Sequence, residues 1–427
     1  MVALLFLIMF VLMILGMEIF ASMAVSAVAL LILRGDTPLN IFPATMVTGM
    51  DNVSLLAIPF FILAGDVMSC GGITAKLVDF SRFFVGSWKG GLAYTSVVVN
   101  IFMAGVSGSA PADATAVSSV LLPAMEKDGY KKPFAAGINA AAAVVGPIIP
   151  PSIPMIFMSM LTGLSVGKLF LGGLVPGLML GGSLMAALYW QMRGKPFPQT
   201  PLKRSLKGFV LLFKDTFFAL IAPLVIVGGI VGGVVTVVEA SILAATYVLF
   251  ASMVIYRNIG LKDLLPIFVR SAVFSSVIMV LFGVIGIFGR ILATEEVAES
   301  FSQWIMAVAP NWWAFLLIVN VFFLFLGMIM DAIPAMLIFF PVLLPIAEKL
   351  GIDPIHFGVV VVVNLMLGLI TPPVGGLLYI LTKMSGQPFD AVAKATMPYM
   401  ISMILVLLLI TYFPFLVTAV PYALLGR

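Results

Sequence analysis

Apolar runs long enough to cross a lipid bilayer recur from one end of this 427-residue sequence to the other. About 20 apolar residues in an α-helix span the hydrocarbon core, which is roughly 30 Å thick. Charged residues make up only 9% of the chain, whereas they supply about 25% of a typical soluble domain. A chain in lipid must satisfy its backbone hydrogen bonds internally, and a helix does so within one segment. The sequence therefore predicts an all-α polytopic membrane protein.

Several classes of site are excluded by residues that the chain lacks. Cys70 is the only cysteine and His356 the only histidine, so the chain cannot form an internal disulfide, a His/Cys metal cluster or a histidine-based triad. It has no P-loop motif, so we expect no use of ATP. The excess of Lys and Arg, 22 against 18 acids, is interpreted as a topological signal rather than a nucleic-acid surface. Residues 1–33 have no basic start and no cleavage site, so we expect two crossings there rather than a signal peptide.

The sequence repeats itself once. "VLLPAMEKDGY" begins at residue 120 and the related "VLLPIAEKLGI" at 342, while "GPIIPP" begins at 146 and "GLITPP" at 368, the same separation of 222 residues. We therefore predict a first repeat over 1–190, a linker over 191–216 and a second repeat over 217–427. The linker is expected to lie at the cytoplasmic headgroups because of its six cations, which are Arg193, Lys195, Lys203, Arg204, Lys207 and Lys214.

Each repeat contains a Gly/Pro-interrupted pair of apolar runs, over 92–125 and over 312–346. The centre of the first pair, "GVSGSAPAD" (105–113), is small and polar, and both ends of the pair are basic. Such a segment is typical of a re-entrant hairpin, which enters and leaves the membrane on one side. The second centre, "GMIMDAIP" (327–334), is flanked by acidic segments instead. The positive-inside rule then places the mouth of the first hairpin in the cytoplasm and that of the second outside.

The charges along the chain favour repeats of opposite orientation. With about five full crossings in each repeat and an outer N-terminus, 17 of the 22 cations fall in the cytoplasm and 5 outside. The reverse orientation violates the positive-inside rule by the same margin. Inverted-topology repeats with broken helices are typical of secondary transporters.

Two further apolar runs are broken by proline pairs, at Gly146–Pro151 and at Gly368–Pro373. A proline inside a helix frees carbonyl groups, which in lipid must face protein, water or an ion. Freed carbonyls can bind Na⁺, and helix N-termini at the hairpin tips can hold a carboxylate. A simple structural kink remains the alternative at each break, as does helix packing for the hairpin glycines. We interpret Glu18 and Glu239 as helix caps or interhelical partners, and Asp66 as solvated or paired. His356 is interpreted as a cap residue at the outer start of a helix.

Six stretches together resemble the large membrane subunit of TRAP (tripartite ATP-independent periplasmic) transporters over nearly the whole chain. They are "AIPFFILAGDVMSCGGI" (57–73), "VGSWKGGLA" (85–93), "GVSGSAPADATAVSSVLLPAMEKDGY" (105–130), "GPIIPPSIPMI" (146–156), "GKLFLGGLVPG" (167–177) and "GLITPPVG" (368–375). The resemblance implies Na⁺-driven uptake, across the bacterial inner membrane, of an organic acid such as a C4-dicarboxylate, a sialic acid or another sugar acid. It also implies an elevator motion of the hairpin-bearing domain. The outer N-terminus that the charges favour would then lie in the periplasm.

The same resemblance implies two partners and a set of site residues. The partners are a periplasmic substrate-binding protein and a small four-helix membrane subunit, which we expect to be a separate chain. At least two Na⁺ ions would bind at Ser107, Ser109, Asp113, Gly146, Pro150, Gly327, Asp331, Gly368, Thr371 and Pro372. The substrate would contact Ser107, Gly108, Ser109, Pro151, Ser152 and Pro373. Two positions depart from the family pattern, the "TVVEAS" stretch (236–241) and Pro111.

Two other functions, a channel and an intramembrane hydrolase, are alternatives to transport. A channel predicts a continuous polar lining, but polar clusters occur only near the expected middle of the membrane. An intramembrane hydrolase could use Asp113 and Asp331 as a catalytic pair, although no motif surrounds them. The sequence favours a secondary transporter and no enzymatic activity.

Overall fold

The computed structural model describes residues 2–35, 38, 40–199, 205–295, 309 and 311–426. Within these ranges the regular structure is entirely helical. Eight of the described helices are long and apolar enough to cross a membrane. The prediction of an all-α polytopic membrane protein is confirmed. The linker cations Lys203 and Arg204 and the acidic residues of 296–300 lie outside the described residues.

Ten α-helices form the part of the chain that precedes the linker. They are α1 (Val2–Ile14), α2 (Ile19–Arg34), α3 (Ile41–Met50), α4 (Ala57–Cys70), α5 (Ile73–Val85), α6 (Gly91–Ser107), α7 (Ala110–Lys127), α8 (Lys132–Ala143), α9 (Ile153–Thr162) and α10 (Val166–Met192). A short 3₁₀ turn, Val53–Leu56, leads into α4.

Nine further helices follow among the described residues. They are α11 (Leu206–Val231), α12 (Val237–Phe250), α13 (Leu261–Thr294), α14 (Trp312–Ile329), α15 (Ala332–Lys349), α16 (Pro354–Gly368), α17 (Gly376–Ser385), α18 (Phe389–Tyr412) and α19 (Phe415–Leu425). A π-helical turn, Ala251–Ile255, extends α12.

Each predicted hairpin is a pair of helices joined by a very short turn. In the first, α6 ends at Ser107 and α7 begins at Ala110, and Gly108 between them adopts a left-handed φ of 58°. In the second, α14 ends at Ile329 and α15 begins at Ala332. The helices therefore stop within the two centres, 105–113 and 327–334, as the sequence predicts.

The two proline pairs also interrupt helices where the sequence predicts. Residues 144–152 separate α8 from α9, and residues 369–375 separate α16 from α17. Both breaks contain a cis peptide bond, at Pro150–Pro151 and at Pro372–Pro373. The first break is buried throughout, whereas Pro373 and Val374 in the second are exposed.

Packing brings the two halves of the chain together in two groups of helices. In one group, α4 lies against α12, and α13 lies against α2 and α3. In the other group, α6 and α7 pack on α8, α14 and α15 pack on α16, and α17 packs on α7 and α8. The hairpins and the broken helices thus form one packed assembly beside α4, α12 and α13.

The structure differs from the sequence-based segmentation in several places. Helix α11 begins at Leu206, inside the segment assigned to the linker, because Ser205 accepts a hydrogen bond from the amide of Gly208 and so caps the helix. The final apolar run is divided between α18 and α19 near Pro414, which cannot donate the helical N–H bond. Helices α3 and α5 were not predicted. The polar face of α5, which carries Lys76, Asp79 and Arg82, hides it from a search for apolar runs.

The two acidic caps behave differently. Glu239 forms a capping box with Thr236 at the start of α12, which confirms its interpretation as a cap. Glu18 occupies the N-cap position of α2, but its side chain makes no capping hydrogen bond there.

Candidate functional site

The tip of the first hairpin is organised around Ser107. Its hydroxyl donates to Asp113 Oδ1 at 2.5 Å and accepts from the amide of Ser109 at 3.3 Å. Gly108 supplies the left-handed turn that reverses the chain between these two serines. The turn therefore ties the end of α6 to the first turn of α7.

The carboxylate of Asp113 lies directly against the first proline break. Asp113 is fully buried, and its Oδ2 atom has no hydrogen-bond partner among the described residues. A Cβ added at Gly146 would lie 2.1 Å from this oxygen. The structure thus brings Ser107, Asp113 and Gly146 together, as the sequence predicts.

The hairpin tip and the break touch at a second point. A Cβ at Gly108 would lie 2.6 Å from the carbonyl oxygen of Pro151, so only glycine allows this approach. Ser152 is buried, caps α9 by accepting from the amide of Met155 at 3.3 Å, and donates its hydroxyl to the carbonyl of Pro147. That hydroxyl therefore satisfies one of the carbonyls that the break frees.

The second hairpin meets the second break through two glycines. A Cβ at Gly368 would lie 2.5 Å from the backbone of Gly327, and one at Gly327 would lie 3.0 Å from Gly368. The amide of Gly375 donates to the carbonyl of Met328 at 3.3 Å. Thr371 is buried, and its hydroxyl donates to the carbonyl of Leu367 at 2.8 Å. Each hairpin tip is thus in backbone contact with the broken helix of its own repeat.

Asp331 is placed differently from its counterpart in the first hairpin. Its side chain caps α15 by accepting from the amide of Ile333 at 3.2 Å. It also lines a cavity of about 340 Å³ together with Glu18 and Phe274. Among the described residues it makes no hydrogen bond to the second break, so the two hairpins do not present their acids in the same way.

A cavity of about 420 Å³ lies beside the first hairpin tip. The hairpin supplies Ser107, Ser109 and Pro111 to its lining. The opposite wall comes from α4 and α13. This cavity therefore lies between the first hairpin and the helices α4 and α13.

The opposite wall carries a charged pair that sequence reasoning missed as a site. Arg270 Nε lies 3.3 Å from Asp66 Oδ1. Ser271 donates its hydroxyl to Asp66 Oδ2 at 2.6 Å, and Arg270 Nη2 donates to Cys70 Sγ at 3.3 Å. Asp66 is therefore paired, which is one of the two states that the sequence predicts for it. The sequence signal that could have identified Arg270 is a lone cation inside an apolar run.

A further cavity, of about 500 Å³, lies between α7 and the end of α17. Its lining includes Glu126, Lys132 and Lys383, and Lys132 forms an ion pair with Glu126 at 2.7 Å. Ser119 lines this cavity and also the one beside the first tip. The two cavities therefore adjoin along α7.

Buried asparagines link the hairpins to the other helices. Sequence reasoning missed these links as well. Asn364 Nδ2 donates to Asn320 Oδ1 at 2.9 Å, and Asn320 Nδ2 donates to Thr411 Oγ1 at 3.0 Å. In the first repeat, Ser96 donates to Asn139 Oδ1 at 2.9 Å. Asparagines inside apolar helices are the signal that could have found these links.

The donor atoms at the tips suit a hard monovalent cation better than a transition metal. No group of three His, Cys, Asp or Glu side chains that could hold a metal ion occurs in the described part of the chain. The first tip instead collects a hydroxyl, a carboxylate with an unused oxygen and the carbonyls of a helix break. Oxygen ligands of this kind are those that hard cations prefer.

These features define a class of protein, a polytopic membrane transporter with hairpin tips set against broken helices. The family described as "Tripartite ATP-independent periplasmic transporter, DctM component" matches residues 6–416. The chain belongs to this family, whose members are transport permeases rather than enzymes.

Two curated relatives and one solved structure illustrate the similarity. The C4-dicarboxylate TRAP transporter large permease protein DctM of Pseudomonas aeruginosa is 38% identical over 371 residues, which cover 87% of each chain. The isethionate TRAP transporter permease protein DctMQ of Oleidesulfovibrio alaskensis is 36% identical over 399 residues, and the match covers 93% of this chain but only 63% of that relative. The YdaH transporter of Alcanivorax borkumensis superimposes with a TM-score of 0.66 at 13% identity, covering 92% of this chain and 97% of the other, which shows a shared fold.

Proposed function

We propose that this chain is the membrane permease of a Na⁺-coupled uptake system for organic acid anions. One observation carries the proposal: each hairpin tip contacts a proline break, and at the first contact a buried carboxylate has one oxygen without a hydrogen-bond partner among the described residues. Such an arrangement gathers oxygen ligands for Na⁺ beside a helix N-terminus that suits an anion. One Na⁺ binds at Ser107, Asp113 and the 146–151 break, and a second binds between Gly327 and the 368–373 break.

The proposed substrate is an organic acid whose carboxylate binds at the first tip. Ser109, the N-cap residue of α7, and the first-turn residues Pro111 and Ala112 line the cavity of about 420 Å³ there. Relatives named for C4-dicarboxylate and for isethionate support a small organic anion. Two Na⁺ ions that enter with a monocarboxylate carry net positive charge inward. The membrane potential then adds about 2.3 kcal/mol per elementary charge for each 100 mV.

The proposed assembly contains two partners, a periplasmic substrate-binding protein and a small four-helix membrane subunit. Family membership supports both, and the relative named DctMQ is longer than this chain. The permease is proposed to lie in the bacterial inner membrane with a periplasmic N-terminus and a cytoplasmic linker.

The proposed motion is an elevator movement of the hairpin assembly against α2, α4, α12 and α13. The adjoining cavities support an inward-open state, since they run from the first tip past Ser119 towards Lys132 and Lys383. Charge patterning assigns this end of the molecule to the cytoplasm.

The competing hydrolase function is disfavoured by the positions of the two candidate acids. Asp113 is buried against Gly146, whereas Asp331 caps a helix and lines a cavity with Glu18. A catalytic pair of aspartates must share one site and one proton. Family membership also argues against an enzyme.

Reconstitution into proteoliposomes with both partners tests the proposed function. Labelled succinate, a sialic acid and a sugar acid are offered under an inward Na⁺ gradient, and K⁺ replaces Na⁺ in the control. We expect uptake of at least one acid that collapses when the Na⁺ gradient is removed. Uptake that is the same in K⁺, or no uptake of any acid, would contradict the proposal.

A further inference from the structure

The charged pair on the wall opposite the first hairpin tip has a feature that a plain structural ion pair lacks. Asp66 uses both carboxylate oxygens, one for Arg270 Nε and the other for the hydroxyl of Ser271. Arg270 uses only part of its donor set. Its Nη2 donates to the sulfur of Cys70, which is a weak acceptor, and Nη1 has no partner among the described residues.

The unused part of the guanidinium has the geometry that a carboxylate recognises. A guanidinium presents two edges that can bind a carboxylate with two parallel hydrogen bonds. Asp66 occupies the Nε position and so holds the side chain in place. The edge formed by Nη1 and Nη2 is left with only a thiol as its acceptor. The Arg270 side chain is 56% exposed and lines the cavity beside the tip.

The position of Arg270 also indicates that its side chain has a functional role. It lies within α13, one of the helices long enough to cross the membrane, and a cation in such a helix is costly unless it serves a site or a partner. Among the residues that line this cavity, Asp66 and Arg270 are the charged ones. Asp66 neutralises Arg270 without covering its outer edge.

We propose that the Nη1–Nη2 edge of Arg270 is a second anion subsite, which binds a carboxylate of the transported acid on the wall opposite the hairpin. The acid is then held between α7 of the hairpin and α13, and Asp66 acts as a positioning residue that orients the guanidinium. This inference rests on the proposed uptake of organic acids. Arg270 would be the residue that lets the site favour acids with two anionic groups.

Cys70 provides a native reporter for this subsite. It is the only cysteine of the chain, it is exposed, and its sulfur lies 3.3 Å from Arg270 Nη2. The purified protein is treated with an anionic reagent, sulfonatoethyl methanethiosulfonate, and separately with its cationic trimethylammonioethyl analogue. The ratio of the two rates isolates the local charge, because a change in the reactivity of the thiol affects both rates.

We expect Arg270→Gln to lower the anionic-to-cationic rate ratio by roughly tenfold, since focused charge in a cleft changes local ion concentrations by at least that factor. Asp66→Asn should raise the ratio. Arg193→Gln removes an exposed cation elsewhere and should leave it unchanged. Arg270→Lys keeps the charge, so it should retain most of the ratio and serve as the control for folding. An unchanged ratio in Arg270→Gln would overturn the proposal.

Succinate is the probe for carboxylate binding, and uncharged succinamide is its control. Succinate should slow the reaction of Cys70 with neutral N-ethylmaleimide in the wild type, succinamide should not, and the protection should be lost in Arg270→Gln. Absence of protection in the wild type, or protection that persists in the variant, would contradict the subsite.

Uptake assays separate this inference from the proposed function. If no acid is taken up by the wild type, the proposed function fails. If an acid is taken up in a Na⁺-dependent way and Arg270→Gln keeps the wild-type half-saturation concentration, only the subsite fails.

Discussion

Asp113 is the residue on which the proposed ion site depends most. One of its oxygens accepts from Ser107, and the other is buried with no hydrogen-bond partner in the described part of the chain. A buried carboxylate oxygen that lacks a hydrogen-bond partner is strongly unfavourable in a low-dielectric interior. A Na⁺ ion bound between this oxygen and the carbonyls of the break would remove that cost. A bound Na⁺ would therefore account for both the unpaired oxygen of Asp113 and the freed carbonyls of the break.

Asp113→Asn is the variant that removes the charge and keeps the shape. The amide oxygen can still accept from Ser107, so we expect normal expression. The Na⁺ concentration for half-maximal uptake should rise at least about tenfold, which corresponds to a loss of about 1.4 kcal/mol of binding energy. Uptake against Na⁺ concentration in proteoliposomes is the measurement. Asp390→Asn, at an exposed helix start, is the control, and an identical shift in both variants would remove the special role of Asp113.

Gly146→Ala tests the same contact from the side of the break. The added methyl group would lie 2.1 Å from Asp113 Oδ2, so the carboxylate or the break must move. We expect weaker Na⁺ dependence and slower uptake. Gly182→Ala is matched to it, since a Cβ there meets nothing within 4 Å. If Gly146→Ala transports with the wild-type Na⁺ dependence, the break does not hold the ion.

At the scale of elements, the hairpins and breaks could be predicted from the sequence because they depend on local chemistry. Glycine permits the left-handed turn at Gly108, and proline ends helices wherever it falls in the chain. The repeat added a second instance of each signal. The same local logic located the capping function of Glu239, whose side chain accepts from the amide of the N-cap residue Thr236.

The contacts between elements could not be predicted in this way. The ion pair of Asp66 with Arg270 joins residues about 200 positions apart, and its existence depends on how α4 packs on α13. The link of Asn320 to Asn364 depends likewise on the packing of α14 against α16. His356, interpreted as a cap, is instead buried with its Nε2 atom 2.8 Å from the carbonyl of Ile410. Charge and periodicity alone do not reveal which helices become neighbours.

The asparagine link predicts that the second hairpin, its broken helix and α18 behave as one packed unit. Asn320→Ala and Asn364→Ala should each lower stability in detergent. The double variant should lose less than the sum of the two, with a coupling energy on the order of 0.6 kcal/mol, as for other hydrogen bonds between membrane helices. Thermal unfolding of the four proteins measures the coupling. Additive losses would mean that the two amides stabilise the fold independently.

At the scale of the whole molecule, the two repeats are not separate domains. Helix α4 of the first packs on α12 of the second, α13 packs on α2, and α17 packs on α7. The cavities beside the two tips border the same region of α13, because Phe274 lines both of them. This arrangement is the one that the proposed elevator movement requires.

Orientation is the whole-molecule prediction. Lys131, which follows the first hairpin, should face the cytoplasm, and Lys349, which ends the second, should face the periplasm. Single cysteines at these positions in a Cys70→Ala background are labelled in intact cells with an impermeant maleimide. We expect labelling at 349 and none at 131 until the cells are permeabilised. Labelling of both, or of 131 alone, would exclude repeats of opposite orientation.

The proposed ion site at the first break is tested by measuring uptake against Na⁺ concentration for a Pro150→Ala/Pro151→Ala variant in proteoliposomes that contain both partners. Replacing both prolines should let the helix re-form across the break and withdraw its carbonyls from the ion. Pro176→Ala, in the middle of α10, is the control for loss of a helix proline. We predict that the double variant needs about tenfold more Na⁺ or higher for half-maximal uptake, while Pro176→Ala follows the wild-type curve. If the double variant also follows the wild-type curve, the prolines are structural kinks and Na⁺ binds elsewhere.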